Sequence, residues 1–476
     1  MLASIAKNGH IAALDETALE ALAQEFRGRL IGPQDADYDE ARAVWNGMID
    51  RYPALIARCT GVADVIAAVN FARENNLLVS VRGGGHNVAG HATNDGGIVI
   101  DLSEMKGIHV DPEKRVARAQ GGVTWGEIDR ETQVFGLAAP GGVVSTTGIA
   151  GLTLGGGLGW LRRKHGLTID NLLSVDLVTA DGEFLTASET QNADLFWGLR
   201  GGGGNFGIVT SFEYRLHPVG PTVMLGNVWF PVEEARELLP KWREIMENAP
   251  EALSSSAYVW SVPPLPNFPE AYHNKRVVCF GAVYAGPVEE GERAIRPLRE
   301  MGTPMMDLSA EIPWTAVQTM FDVFFPKRER LYYFKSRYLQ AFDDRTIEAL
   351  LPRAANPPSP AVLIVIWHLG GAMRRVNRNA TAFAERDATY LFSVDAIWDD
   401  PRETEDVLAY SRAFLAEMEP YSTGSLYINF PGFGEEGEQL VKDAYGANYN
   451  RMVALKNRYD PNNLFRLNPN VRPTRA

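Results

Sequence analysis

Ser80-Val81-Arg82-Gly83-Gly84-Gly85-His86-Asn87 is the stretch that decides how this chain is read. Residues 77–81 form a short apolar run suited to a strand. Three glycines at its end make a turn whose backbone N–H groups can face an anion with no Cβ in the way. A histidine directly after such a turn is oddly placed for packing. It is well placed to touch whatever is bonded to the anion. A second run, Gly155-Gly156-Gly157, invites the same reading, because a pyrophosphate needs several N–H donors within about 3 Å. Ordinary tight turns would use the same glycines. A Rossmann site fits poorly, since no GxGxxG opens a helix with an acidic residue about 20 positions later.

Outward from this stretch, residues 50–105 read as β-α-β-β. Residues 54–59 are strand-like, Thr60 is placed to cap a helix, and residues 98–102 form a further short strand. Residues 1–30 begin with a helical pattern carried by Leu14, Ala18, Leu19, Leu22 and Phe26. Residues 121–220 are glycine-rich and read as a second α+β lobe, with Asp181-Gly182 joining two strands as a hairpin. After Pro218 the composition changes. Residues 276–284 and 389–398 are strand-like, whereas 232–248 and 403–417 are helical. The pattern predicts a large antiparallel sheet with helices over one face.

Four segments together resemble the FAD-linked oxidases with a PCMH-type flavin domain, of the berberine-bridge-enzyme-like group in the vanillyl-alcohol-oxidase superfamily. They are the Arg82-Gly83-Gly84-Gly85-His86-Asn87 loop, residues 141–159 ending in Leu154-Gly155-Gly156-Gly157-Leu158-Gly159, residues 194–209, and a tail containing Tyr445-Gly446-Ala447-Asn448-Tyr449-Asn450-Arg451 and residues 458–468. The resemblance implies an α+β protein: a two-lobed FAD-binding domain over 1–220, an inserted substrate domain over 221–425, and a segment, 426–476, that returns to the FAD-binding domain. It puts FAD against Arg82, Gly83, Gly84, Gly85, His86 and Asn87, then Thr146, Thr147, Gly148, Gly151, Gly155 and Gly156, then Asn205 and Ile208, and finally Asn448 and Tyr449. His86 matches the covalent flavin ligand of the family. The second, cysteinyl attachment found in some members falls here on Val144, so a single attachment is expected.

The resemblance is less informative about the proton acceptor. Phe433 and Gly434 stand where plant members carry a tyrosine. The strand expected at residues 370–375 offers Arg374 and Arg375 but no acid. Tyr427 and His368 remain as candidates, Tyr427 because alternation along a strand at 426–430 would pair it with Asn429. A packed aromatic and a satisfied core histidine describe them equally well. Tyr258, Trp260, Tyr333, Trp367 and Trp398 either line an aromatic pocket or form the core of the large sheet.

The bulk composition is that of an ordinary globular protein, with 45% hydrophobic and 22% charged residues. A net charge of −13 opposes nucleic-acid binding. No apolar run reaches the ~18 residues of a membrane span, and residues 1–9 lack a secretory pattern, so a cytoplasmic location is expected. Two cysteines, Cys59 and Cys279, exclude a disulfide framework, and the scattered histidines suggest no metal. The expected activity is oxidation of a small alcohol, amine or phenolic metabolite, with O₂ as acceptor and H₂O₂ as product. A dehydrogenase with another acceptor, a carbohydrate oxidase and a flavin-carrying binding protein are the alternatives.

Overall fold

The computed structural model describes residues 3–5, 11–13, 16–433 and 437–474. Strands Leu55–Arg58, Val79–Arg82 and Ile98–Asp101 are short, mainly apolar and mostly buried. Runs of this kind suit strands covered on both faces, as in parallel sheets. These three pair in parallel with Ile98–Asp101 in the middle, and Arg29–Ile31 adds an antiparallel edge. Helix Val62–Glu74 makes the crossover and buries Val65, Ala68, Val69 and Ala72. Its N-cap is Gly61 where the sequence suggested Thr60; Asp64 instead accepts the Thr60 N–H and hydroxyl.

A second lobe is a five-stranded antiparallel sheet in the order Phe184–Ser188, Leu172–Val178, Ile208–Arg215, Val116–Gln120, Ile108–Asp111. The hairpin expected around Asp181-Gly182 is its first pair, and Gly182 takes the positive φ of +79° that the turn requires. Helices Ala193–Leu199 and Tyr449–Tyr459 share its core through Leu195, Phe196, Met452 and Leu455. The tail of the chain therefore packs on the same lobe as residues 108–215.

Residues 222–398 supply an eight-stranded antiparallel sheet. Its six longest strands are Thr222–Pro231, Arg276–Tyr284, Leu253–Ser261, Leu363–His368, Tyr390–Trp398 and Leu331–Leu339, in spatial order, the last at the edge. Side chains alternate between its two faces. Val228, Phe280, Ile366, Val394 and Trp398 meet the helices Ala235–Glu247, Val288–Glu300, Asp344–Ala354 and Thr404–Met418. Tyr258, Trp260, Cys279, Trp367 and Ile397 point the other way, toward the two smaller sheets. Among the described residues no helix is long and apolar enough to cross a membrane.

Two expected strands are absent. Residues 426–430 form a turn, closed by the Phe430 N–H donating to the Tyr427 carbonyl. Residues 370–375 instead begin with a turn at Gly370 and Gly371, both at positive φ, and continue as the short helix Ala372–Arg375.

Candidate functional site

A long cavity lies where the two smaller sheets meet the helix-free face of the large one, and the volume open to the centre of a water molecule is about 320 Å³. One part is a glycine-walled channel; the other is an aromatic chamber. The channel begins where strand Val79–Arg82 ends. There Arg82 donates to Asp101 at 2.7 Å in a buried pair on adjacent strands. Burial pushes the Asp101 carboxyl up, yet the Arg82 charge and hydrogen bond hold it below the usual carboxylate range. Arg82 thus anchors the strand ends and does not line the cavity.

The two glycine runs behave differently. The amides of Gly83, Gly84, Gly85 and His86 donate to no acceptor among the described residues, and all four residues line the cavity. A Cβ on Gly84 would lie 2.3 Å from the Gly148 nitrogen, so the two loops touch only because both are glycine. In the second run the amides are already used. Gly155 and Gly156 donate to the Gly151 and Thr153 carbonyls, and Gly157 and Leu158 both donate to the Tyr427 hydroxyl at 3.2 Å. A Cβ on Gly156 would strike the Phe383 ring at 2.8 Å. The expected second phosphate cradle is therefore a packing turn, with only Gly155 of its three glycines on the cavity wall.

His86 stands where channel and chamber join. Its ring stacks on Trp45 at 4.7 Å, and Trp45 stacks in turn on Tyr332 at 3.8 Å. Its Nε2 lies 2.8 Å from the Thr146 hydroxyl, and its Nδ1 lies 3.5 Å from that of Thr147. Burial, with a smaller push from Lys327, drives the imidazole down to about 3. It is neutral at pH 7.

The chamber is walled by Tyr258, Phe334, Val365, Trp367, Phe430 and one carboxylate, Asp395. Asp395 is the only charged side chain lining the cavity among the described residues. It sits mid-strand in Tyr390–Trp398 and is 5% exposed, with Oδ1 lacking a partner. Burial pushes it up to about 7, against a weaker opposing bond from Ser393 on the same face. Behind Trp367 lies Arg162, fully buried and 5.4 Å over the indole ring. Its guanidinium donates to the carbonyls of His368, Gly159 and Ser255 and to the Ser256 hydroxyl.

The comparisons with known proteins agree with this geometry. The family described as FAD binding domain matches residues 53–188, and that described as berberine and berberine like matches residues 426–472. An FAD-linked oxidoreductase of Dictyostelium discoideum is 32% identical, over 90% of this chain and 91% of its own. (R)-6-hydroxynicotine oxidase of Paenarthrobacter nicotinovorans is 32% identical, over 94% of this chain and 97% of its own. The crystal structure of 6-hydroxy-D-nicotine oxidase from Arthrobacter nicotinovorans matches with a TM-score of 0.84 at 30% identity, covering 94% of this chain and 98% of that one. The chain belongs to the berberine-bridge-like FAD-linked oxidoreductases.

The channel of this FAD-linked oxidoreductase suits the cofactor. Its free amides at 83–86 match a pyrophosphate. A Cβ added at Gly151 or Gly204 would meet no atom within 4 Å, so both glycines leave open space. Of the residues expected against FAD, Gly83, Gly84, Gly85, His86, Asn87, Thr147, Gly148, Gly151, Gly155 and Ile208 line the cavity. Thr146 acts through its bond to His86. Asn205 stands behind the wall, where its amide donates to the Gly202 and Pro469 carbonyls and accepts from the Val471 N–H.

Asn448 and Tyr449 do not reach the cavity. The Asn448 amide faces the carbonyls of Arg378, Thr381 and Ala382, and Tyr449 opens a helix whose buried side meets the five-stranded sheet. Phe465, Leu467, Asn468 and Pro469 supply the cavity wall from the tail instead. His368 is likewise misplaced as a proton acceptor. It follows Trp367 on a strand, so it points to the opposite face, against Trp242 and Tyr390. Tyr427 does line the chamber, but its oxygen already accepts from Gly157, Leu158 and Asn429. Burial raises its hydroxyl above the ordinary tyrosine value, which makes it a poor base. Of the five aromatics, Tyr258 and Trp367 reach the cavity and Trp260 shares their face, whereas Tyr333 and Trp398 belong to the helix-side core.

Asp395 and Trp45 were missed. For Asp395 a signal existed: Ser393 and Asp395 are polar at alternate positions of an otherwise apolar run, Phe392 to Trp398. Trp45 lies in an irregular segment where no periodicity points to it.

Proposed function

We propose that this protein oxidises a flat, largely apolar alcohol, amine or phenolic molecule by hydride transfer to a flavin linked to His86. Asp395 takes the proton. Loss of hydride from C–H and of a proton from the adjoining O–H or N–H leaves a C=O or C=N product. FAD held against the 83–86 loop would supply the hydride acceptor, and its reoxidation by O₂, with two electrons and two protons, would give H₂O₂. One observation carries the reading: a single carboxylate, buried, with a free oxygen and held near pH 7, faces an aromatic chamber. A general base works best with its pKa near the working pH. An ionised Asp395 also suits a substrate that arrives as an ammonium ion. A carbohydrate would bring many hydroxyl groups to walls that are mainly apolar, and each unpaired one is costly. The relative named for hydroxynicotine oxidation supports the same class.

The neutral imidazole of His86 supports the linkage. In the tautomer that carries its proton on Nε2, that N–H donates to the Thr146 hydroxyl and the Nδ1 lone pair is left for bonding. Val144 and two buried cysteines away from the cavity support a single attachment. The test is anaerobic flavin reduction by a panel of aryl amines, aryl alcohols and oligosaccharides. Fast reduction by a member of the first two classes is expected; reduction by sugars alone overturns the substrate class. Acid-precipitated wild type should stay yellow and His86→Ala should release its flavin. A colourless wild-type pellet overturns the linkage.

A further inference from the structure

We propose that the large sheet carries a second ligand site on its helix side, a polar cavity that binds a small oxyanion, either a carboxylate or a phosphate. The volume open to the centre of a water molecule there is about 870 Å³. This cavity shares no lining residue with the flavin cavity. Strand Leu363–His368 separates them, with Trp367 facing one and His368 the other. The Tyr390 hydroxyl and His368 Nδ1 lie in its wall, both buried and both without a hydrogen-bond partner. Each residue is only 3% exposed. A buried polar group left unpaired is costly, and here the cavity is where a partner would sit.

Charge gives the chemistry of that partner. Arg163, Arg243, Arg345 and Arg374 line the cavity. Arg163 donates only to the backbone carbonyls of Ala249, Pro250 and Leu253, so its charge has no bonded carboxylate, and its Nε is buried without a partner. Arg345 and Arg374 are exposed and make no side-chain ion pair among the described residues. Three acids share the cavity. Asp344 bonds Arg243 at 3.1 Å, and Asp343 caps helix Asp344–Ala354 through Thr346, which leaves Glu247. Positive charge is therefore in surplus. Guanidinium forks match the planar, paired oxygens of carboxylates and phosphates, and a tyrosine hydroxyl adds a neutral donor.

The experiment is calorimetric titration of the flavin-loaded protein in low-salt buffer, with inorganic phosphate in one series and malonate in the other. Saturable one-to-one binding of at least one is expected, and the tighter of the two identifies the chemistry. The double variant Arg345→Ala/Arg374→Ala, confined to exposed side chains, should weaken it by about tenfold or more. Tyr390→Phe, which removes only the hydroxyl, should weaken it by about threefold. Lack of saturable binding of either anion at millimolar concentration overturns the proposal. So does binding that the double arginine variant leaves as tight as in wild type.

Discussion

The two faces of strand Tyr390–Trp398 do unrelated work with neighbouring residues. On one face Phe392, Val394, Ala396 and Trp398 are sealed under helices. On the other, Asp395 looks into a space that the smaller sheets and their loops leave unfilled, with Ser393 packed beside it on the same face. Burial is nearly complete on both sides: Val394 is 0% exposed and Asp395 5%. What differs is the neighbour. Beyond Tyr390, helix side chains fill the gaps against this stretch of the sheet, which yields stability. Loops shaped by glycines leave a cavity, and a carboxylate facing it has neither a salt-bridge partner nor bulk water. Stability and reactivity are thus set one residue apart by alternation alone.

The largest effect should come from Asp395→Asn, which keeps the shape and removes the base. The rate of anaerobic flavin reduction is expected to fall by ~10²–10⁴-fold with flavin content unchanged. A loss of less than about threefold would break the contrast between the faces. Next comes pH. A carboxyl held near 7 acts as a base only when ionised, so the wild-type reduction rate should climb by about tenfold per unit below pH 7 and level off above it. Asp395→Asn should lack that limb. The raised value also implies that the folded protein holds a proton the unfolded chain has lost between about 4 and 7, so Asp395 weakens the fold as pH rises through that window.

Tyr427→Phe should act mainly on stability. It leaves the Gly157 and Leu158 N–H groups without their acceptor, at about 1–3 kcal/mol, seen as a lower midpoint in urea, with reduction slowed by less than about tenfold. A loss of 10²-fold or more would return the base to Tyr427. The smallest change in reduction rate belongs to Val394→Ala, next door to Asp395. It should cost about 1–3 kcal/mol of stability through lost packing and leave the rate within about twofold. A large rate effect there would mean that the two faces are coupled.

Much of the cofactor half was legible along the chain. The run Arg82-Gly83-Gly84-Gly85-His86 states its own geometry, because free amides and close backbone approach demand consecutive glycines. Strand patterns at 276–284 and 389–398 were equally plain, since alternation is a local property. The tertiary structure alone decided which glycine run presents its amides. Gly155-Gly156-Gly157 looks the same on paper, but its N–H groups are claimed by local carbonyls and by Tyr427, 270 residues beyond Gly157. It also decided that Asn448 braces a loop, that His368 faces away, and that Asp395 rather than Tyr427 meets the chamber with an unpartnered oxygen. The physical reason is common to all of these. A backbone conformation is written in adjacent residues, whereas the state of a polar group depends on which distant atoms arrive to satisfy it.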